Sequence, residues 1–223
     1  MVLVSFDGLS MVSHGKTLIK HATAQIMAGD KILLTGRSGA GKSLLLQLLG
    51  GQIGQHTGTL YHQGQTPEQL TPSVWRHRLA YLTQNPQMVD GTVLDNLQLP
   101  FRFSYHNRRQ FDQNFHTDIL SKLNKSADFL TAPIAQLSGG ERQLVHLLRT
   151  LQLNPCVLLL DEPTAALDVN TAAHITALLN AWVDASTIDC PRAYVWIDHH
   201  QTHDAYNKKW QMLNQVLHTE MLR

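Results

Sequence analysis

The sequence lacks the features that mark secreted and membrane-spanning proteins. Its 223 residues include only two cysteines, Cys156 and Cys190, which are too few for a disulfide framework and fit a reducing cytoplasm. No apolar run approaches the ~20 residues that a membrane span needs. The first residues contain no basic segment followed by an apolar core, so we expect no signal peptide.

The sequence also lacks an excess of either charge. Its formal net charge is +1 at pH 7, and 16% of its residues are charged. This balance gives no support to a dedicated nucleic-acid surface, and we expect no nucleic-acid partner. A short basic stretch at Arg102, Arg108 and Arg109 is typical of a solvated helix face.

The order of apolar runs and turn residues predicts an α/β fold. Strands are predicted at 31–35, 58–62, 79–83, 157–160 and 194–197, with the last of these as the final core strand. Helices are predicted after residue 43 and at 107–123, 139–151 and 170–182. We expect a single domain over 1–223, with a core and an antiparallel β lobe at 1–85 and 152–223 and a helical lobe at 86–151.

A phosphate-binding loop follows the strand predicted at 31–35. The motif reads Gly36-Arg37-Ser38-Gly39-Ala40-Gly41-Lys42-Ser43. Its glycines allow backbone amides to turn inward around a phosphate, and the helix that follows directs its positive end to the same place. Lys42 is expected to reach the β- and γ-phosphates, and the Ser43 hydroxyl to bind Mg²⁺.

An acidic pair ends the apolar strand predicted at 157–160. Asp161 is expected to hold Mg²⁺, and Glu162 to polarise the attacking water. Buried strands often end in acidic residues, so the phosphate loop earlier in the chain gives this pair its functional meaning.

A third motif, Leu137-Ser138-Gly139-Gly140-Glu141, resembles the signature sequence of the ATP-binding-cassette (ABC) ATPases. The resemblance covers nearly the whole chain, because the family's motifs occur in order and at about its spacing. They are the phosphate loop, Gln84, the signature, Asp161-Glu162, Ala165-Ala166-Leu167-Asp168 and His199.

The resemblance implies a P-loop NTPase (RecA-like) core that binds ATP and Mg²⁺. It also implies a homodimer in which each ATP lies between the phosphate loop of one copy and Ser138, Gly139 and Gly140 of the other. Asp168 would cross to the partner's phosphate loop, and His199 would contact the γ-phosphate. Gln84 would sense Mg²⁺ and nucleotide and relay them to a membrane permease docked on the helical lobe.

Several of these residues also have ordinary structural interpretations. Ser138 and Glu141 fit a capping box, which is compatible with nucleotide binding. Asp168 fits the N-cap of the next helix, and a lone glutamine after a strand, such as Gln84, is usually solvated.

The chain departs from the family pattern at five places. Leu44 replaces a threonine near the α-phosphate, and Ser13 replaces the aromatic residue that stacks on adenine, leaving His14 or Phe6 as substitutes. Leu144 and Ala165 replace a basic residue and a serine. The late motif reads Asp198-His199-His200, so a register shift would exchange the two histidines; His199, His200 and His203 also invite a metal-site interpretation.

We therefore expect an ATP-hydrolysing transporter subunit, cytoplasmic and peripheral on the inner (cell) membrane through a separate permease. The segment from Tyr81 to Pro100 is similar to that of small bacterial cassettes for iron or metal export. The alternatives are a soluble, non-transport ABC ATPase, and a regulatory cassette that binds ATP with little turnover.

Overall fold

The computed structural model describes residues 1–106, 109–198 and 205–222. Within these residues the strands are β1 (Val2–Ser13), β2 (Lys16–Met27), β3 (Lys31–Gly36), β4 (Thr57–His62), β5 (Leu79–Leu82), β6 (Val157–Asp161), β7 (Ala193–Ile197), β8 (Lys208–Leu213) and β9 (Val216–Met221). The helices are α1 (Lys42–Leu49), α2 (Pro72–Arg78), α3 (Val93–Gln98), α4 (Gln113–Lys122), α5 (Gly139–Leu151) and α6 (Val169–Asp184). Short 3₁₀ turns occur at Leu99–Arg102, Ala127–Thr131 and Ile134–Gln136.

The strands form one mixed sheet in the order β4-β1-β2-β9-β8-β3-β7-β6-β5. Strand β7 pairs in parallel with both β3 and β6, while β1 pairs antiparallel with β2 and β4. The predicted α/β class is therefore confirmed. Because β3 and β6 run in the same direction on either side of β7, their carboxyl ends meet at one edge of the sheet, where such folds bind ligands.

The chain divides into two compact units. The first comprises Met1–Tyr81, Pro155–Glu162 and Asn180–Arg223, and the second comprises Leu82–Asn154 and Pro163–Leu179. The helical lobe predicted at 86–151 falls within the sequence of the second unit. None of the described helices is long and apolar enough to cross a lipid bilayer.

The parallel strands supply the core of the first unit. All five residues of β6 and all five of β7 are buried, which is why their sequences read as continuous apolar runs rather than alternating patterns. Trp196 and Trp210 are among the largest fully buried side chains. Strand β6 thus forms a rigid support for the carboxylate at its end.

The prediction that residues 194–197 form the final core strand was wrong. Strand β8 follows it and pairs in parallel with β3, and β9 then pairs antiparallel with β8. Strand β8 begins with two lysines, and its buried Trp210 and Met212 are separated by the polar Gln211. The connecting turn has positive φ at Asn214 and Gln215. Hairpin turns with this geometry usually contain glycine, and this one contains none.

The helix predicted at 107–123 begins later, at Gln113. The Asp112 carboxylate accepts hydrogen bonds from the amides of Asn114 (3.0 Å) and Phe115 (3.2 Å), so it caps α4 at that point. Residues 107 and 108 lie outside the described residues.

A buried histidine makes the first unit sensitive to acid. His62 is fully buried and packs edge-on against Trp75, with ring centroids 6.3 Å apart. Burial, together with the charge of Arg78, lowers the pKa of His62 to about 4. The unfolded chain takes up this proton near pH 6.5, so the free energy of unfolding should fall as the pH drops from about 6.5 to about 4.

We predict that His62→Leu flattens this pH dependence, removing up to about 3 kcal/mol of acid destabilisation between pH 6.5 and pH 4. Urea unfolding at a series of pH values measures the effect. His218→Leu, at an exposed position of β9, is the matched control and should keep the wild-type slope. Identical slopes in all three proteins would contradict the prediction.

Candidate functional site

The phosphate loop has the backbone geometry of an anion cradle. Gly36, Gly39 and Gly41 all have positive φ, which glycine adopts without strain. A Cβ on Gly36 would lie 2.5 Å from the Met212 carbonyl oxygen, and one on Gly41 would lie 2.8 Å from that of Leu18. Glycine is therefore required at both ends of the loop.

Lys42 lies across this cradle. Its side-chain amine donates to the carbonyl oxygens of Gly36 (2.8 Å) and Arg37 (3.2 Å), and the residue is only 7% exposed. Burial lowers the pKa of Lys42, while Glu162 and Asp161 act in the opposite direction. A buried cation whose hydrogen bonds go to backbone carbonyl oxygens is suited to bind an anionic ligand.

Ser43 and Asp161 meet at the end of β6. The Ser43 hydroxyl donates to Asp161 Oδ1 over 3.0 Å, and the Tyr81 hydroxyl donates to Asp161 Oδ2 over 2.8 Å. Asp161 is 6% exposed. Both hydrogen bonds are directed at a carboxylate, so they are of the stronger, charge-assisted kind.

Glu162 has a strained backbone. Its φ is +50°, and its amide donates to the Ile197 carbonyl oxygen over 3.2 Å. A non-glycine residue in this region costs about 1–3 kcal/mol and is typical of functional sites. Glu162 is half-buried.

The remaining loop residues differ in exposure. Arg37, Ser38 and Gly39 are exposed, and Ala40 is half-buried. Leu44 packs against the hydrophobic core of the first unit. An apolar side chain therefore occupies the position where the family pattern has a hydroxyl.

Of the two proposed substitutes for the missing adenine-stacking residue, Phe6 is unsuitable. Its ring is 2% exposed and packs edge-on against Trp210, with centroids 5.7 Å apart. His14 instead lies exposed in the β1–β2 turn, where its Nδ1 is 3.0 Å from the Ser13 hydroxyl.

In the second unit, the signature residues form a capping box at the start of α5. The Glu141 amide donates to Ser138 Oγ over 3.2 Å, and the Ser138 amide donates to Glu141 Oε2 over 3.0 Å. Lys125 binds the other oxygen of Glu141 at 2.6 Å, and this hydrogen bond, with that from Ser138, lowers the pKa of Glu141. The capping interpretation is confirmed, and it fixes the first amides of the helix.

Asp168 caps α6 in the same unit. Its Oδ1 accepts from the Thr171 amide (3.0 Å) and its Oδ2 from the Thr171 hydroxyl (2.7 Å), which lowers the pKa of Asp168. The N-cap interpretation of this aspartate is thus confirmed.

Gln84 is exposed, two residues beyond β5. The preceding carbonyl, that of Thr83, accepts from the buried Gln143 side chain over 3.4 Å. His199, His200 and His203 lie outside the described residues. Within the ranges 1–106, 109–198 and 205–222, no three His, Cys, Asp or Glu side chains cluster as a metal site.

The ABC transporter family profile matches residues 19–165. The chain belongs to the ABC transporter family. It is an ABC-type ATPase subunit of a transporter, with the P-loop NTPase fold.

Similar sequences include several transporter subunits. The probable iron export ATP-binding protein FetA of Escherichia coli (strain K12) is 33% identical over 197 residues, covering 88% of this chain and 84% of that protein. The lipoprotein-releasing system ATP-binding protein LolD of Ehrlichia chaffeensis is 33% identical, covering 77% and 74%. The glutathione/L-cysteine transport system ATP-binding/permease protein CydD of Escherichia coli is 37% identical, covering 75% of this chain and 29% of its own length.

Solved structures agree on the fold. A dimeric ATP-binding cassette in a post-hydrolysis state with ADP and phosphate superposes with a TM-score of 0.83 at 22% identity, covering 99% of each chain. A bacterial Atm1-family ABC exporter with ATP bound gives a TM-score of 0.80 at 23% identity, covering 96% of this chain and 37% of that one.

Sequence reasoning missed Tyr81 and Gln47. The Gln47 side-chain amide donates to the Tyr81 hydroxyl over 3.3 Å, and that hydroxyl reaches Asp161. Gln47 lies four residues after Ser43, so helical spacing places both on one face of α1. Tyr81 carries no comparable signal, because its contact depends on the placement of β5 beside β6.

The packing of the signature glycines gives a matched test within the second unit. A Cβ on Gly140 would lie 2.7 Å from both the Ala166 carbonyl oxygen and Leu167 Cδ2, whereas one on Gly139 would meet Ala166 Cβ at 3.8 Å. We predict that Gly140→Ala lowers the free energy of unfolding by about 1–3 kcal/mol, as overpacking does.

The control, Gly139→Ala, should be neutral or slightly stabilising, since alanine favours a helix by up to about 1 kcal/mol over glycine. Thermal unfolding of the two variants without nucleotide provides the comparison. Equal midpoints would mean that the loop at 165–168 moves away from the added methyl group at no cost.

Proposed function

We propose that this chain hydrolyses ATP with Mg²⁺ and thereby drives a separate membrane permease, with metal ions such as iron as the exported cargo. The pairing of Ser43 with Asp161 beneath the cradle of Lys42 carries the proposal. A hydroxyl and a carboxylate are hard oxygen donors of the kind that Mg²⁺ binds, so these residues fit the ion.

The roles of the side chains follow from their chemistry. The amides at the start of α1 and the Lys42 ammonium bind the phosphates, and Ser43 and Asp161 would hold Mg²⁺. Gln84 is proposed as a further Mg²⁺ ligand from its sequence position alone. When bound, the ion offsets negative charge on the phosphate oxygens. Glu162 accepts a hydrogen bond from the attacking water and raises its nucleophilicity.

A second copy of the chain completes each site in this proposal. Ser138 accepts from the Glu141 amide, while the amides of Gly139 and Gly140 lie in the first turn of α5, where no intrahelical carbonyl is available to them, and are suited to an anion. Two copies facing each other form two equivalent sites across a two-fold axis. His199 is proposed, from its sequence position, to contact the γ-phosphate.

The second unit offers a groove for the permease. It is lined by Pro86, Met88, Asp90, Gly91, Thr92, Pro133, Ile134, Ala135 and Arg142. Its apolar walls and mixed charged rim are suited to a short amphipathic segment. Association through this groove would hold the chain at the inner face of the membrane.

The similarity to FetA supports metal export. The experiment is co-reconstitution of the chain with its candidate permease in proteoliposomes, followed by ATP-dependent movement of radioactive iron. ATPase stimulation by the permease without iron movement would keep the transporter assignment and reject the cargo.

Glu162 tests the hydrolytic step. We predict that Glu162→Gln lowers the ATPase rate by about 10²–10⁴-fold, because the amide cannot polarise water as a carboxylate does. The variant should also accumulate as an ATP-bound dimer on size exclusion. Glu220→Gln, exposed on β9, is the control. A near-wild-type rate for Glu162→Gln would refute the role, and an inactive wild type would favour the regulatory cassette.

Base selectivity tests the departure at Ser13. Phe6 is in the core, and the described β1–β2 turn at 13–16 has no large aromatic ring to stack on the base, a contact worth roughly 1–3 kcal/mol per base in nucleic-acid complexes. We therefore predict that GTP competes with ATP within about tenfold. Competition binding with a fluorescent ATP analogue gives the ratio. A strong preference for ATP that His14→Ala abolishes would identify His14 as the adenine-binding residue.

A further inference from the structure

Asp161 is held by two hydroxyl groups, of which only Ser43 belongs to the phosphate-loop motif. The second is that of Tyr81, which donates to the other carboxylate oxygen over 2.8 Å. We propose that Tyr81, oriented by Gln47, is a positioning residue that fixes the rotation of the Asp161 carboxylate for divalent-cation binding. The proposal rests on the Mg²⁺-dependent function proposed above.

The need for such a residue follows from the freedom of an aspartate side chain. The torsion that turns a carboxylate about its Cβ–Cγ bond is broad rather than confined to sharp wells. A single hydrogen bond from Ser43 to Oδ1 leaves much of that rotation open. A second bond to Oδ2, from a different structural element, fixes the plane of the carboxylate and therefore the direction of its lone pairs.

Gln47 supplies a second hydrogen bond to the Tyr81 hydroxyl. A phenol has one hydrogen to donate and accepts through its oxygen lone pairs. The Gln47 amide donates to that oxygen over 3.3 Å, and the hydroxyl donates to Asp161, whose carboxylate can only accept. The two hydrogen bonds thus have the same direction: Gln47 donates to Tyr81, and Tyr81 donates to the Asp161 carboxylate.

Ser43, Asp161, Tyr81 and Gln47 form a chain of hydrogen bonds within the first unit that begins and ends on α1. Ser43 and Gln47 project from the same face of α1, and Asp161 and Tyr81 come from neighbouring strands. Any rotation of the carboxylate would therefore strain contacts at both ends of this helix face.

Packing holds the Tyr81 side chain in register. A Cβ on Gly50 would lie 3.0 Å from Tyr81 Cβ and 3.4 Å from Leu159 Cδ1, so β5 approaches the end of α1 closely because residue 50 is glycine. Tyr81 is half-buried and packs against the hydrophobic core. Phenylalanine at residue 81 would keep this packing and lose only the hydroxyl. The Tyr81→Phe variant therefore separates the hydrogen-bonding role of Tyr81 from its packing role.

The test uses Mn²⁺ as the probe. For Tyr81→Phe in complex with the non-hydrolysable analogue AMP-PNP, we expect the Mn²⁺ dissociation constant from EPR titration to rise about tenfold, as for loss of other residues that orient metal ligands. The Mg²⁺ concentration for half-maximal ATPase should rise in parallel, while kcat at saturating Mg²⁺ stays near that of wild type. Affinity for AMP-PNP in EDTA should not change. Tyr61→Phe on β4 is the matched control and should match the wild type throughout.

A double-mutant cycle tests the relay through Gln47. Gln47→Leu alone should weaken Mn²⁺ binding less than Tyr81→Phe, and the double variant should equal Tyr81→Phe, because Gln47 acts only through the hydroxyl. Additive effects of the two changes would overturn the relay. If Tyr81→Phe does not fold, Gln47→Leu is measured alone, and an Mn²⁺ dissociation constant equal to that of the wild type overturns the relay.

Failure of the inference is distinguishable from failure of the proposed function. Mn²⁺ binding by Tyr81→Phe that equals that of the wild type overturns the positioning role and leaves the ATPase proposal intact. Absence of nucleotide-dependent Mn²⁺ binding in the wild type overturns both.

Discussion

The buried charge at the junction of α1 and β6 is the interaction on which the site depends. Lys42 and Asp161 are each less than a tenth exposed, and a buried charge is tolerated only with polar partners. Lys42 donates hydrogen bonds to backbone carbonyl oxygens of the loop, and Asp161 accepts hydrogen bonds from two hydroxyl groups. These partners meet because β3 and β6 run in parallel on either side of β7. The topology of the sheet therefore determines which side chains lie together in the site.

Local sequence was sufficient to predict the phosphate loop, because its geometry is imposed by the loop itself. Gly36, Gly39 and Gly41 adopt positive φ within the loop, and Lys42 lies next to the loop it binds. The buried runs of β6 and β7 were equally legible, since both faces of each strand are covered. Such features need no knowledge of distant contacts.

Other features depended on tertiary context. Strand β8 has an alternating pattern that starts with two lysines, so its place beside β3 could not be read from hydrophobicity alone. Tyr81 looks like any residue of an edge strand until β5 is placed next to β6. Leu44 and Ser13 were visible as departures, but only the structure gives Leu44 a core contact and removes Phe6 from consideration.

Helix caps explain why structural and functional interpretations of one residue need not compete. Ser138 and Asp168 each accept hydrogen bonds that fix the first turn of a helix, and each lies in a motif that we expect to meet the nucleotide. A cap immobilises the amides around it, so a ligand that later binds there loses less conformational freedom in the protein. Asp161 follows the same logic on a strand, since the hydrogen bonds that satisfy its buried charge also aim its oxygens. In this chain the helix caps and the hydrogen bonds to Asp161 therefore stabilise local structure and also preorganise the proposed site.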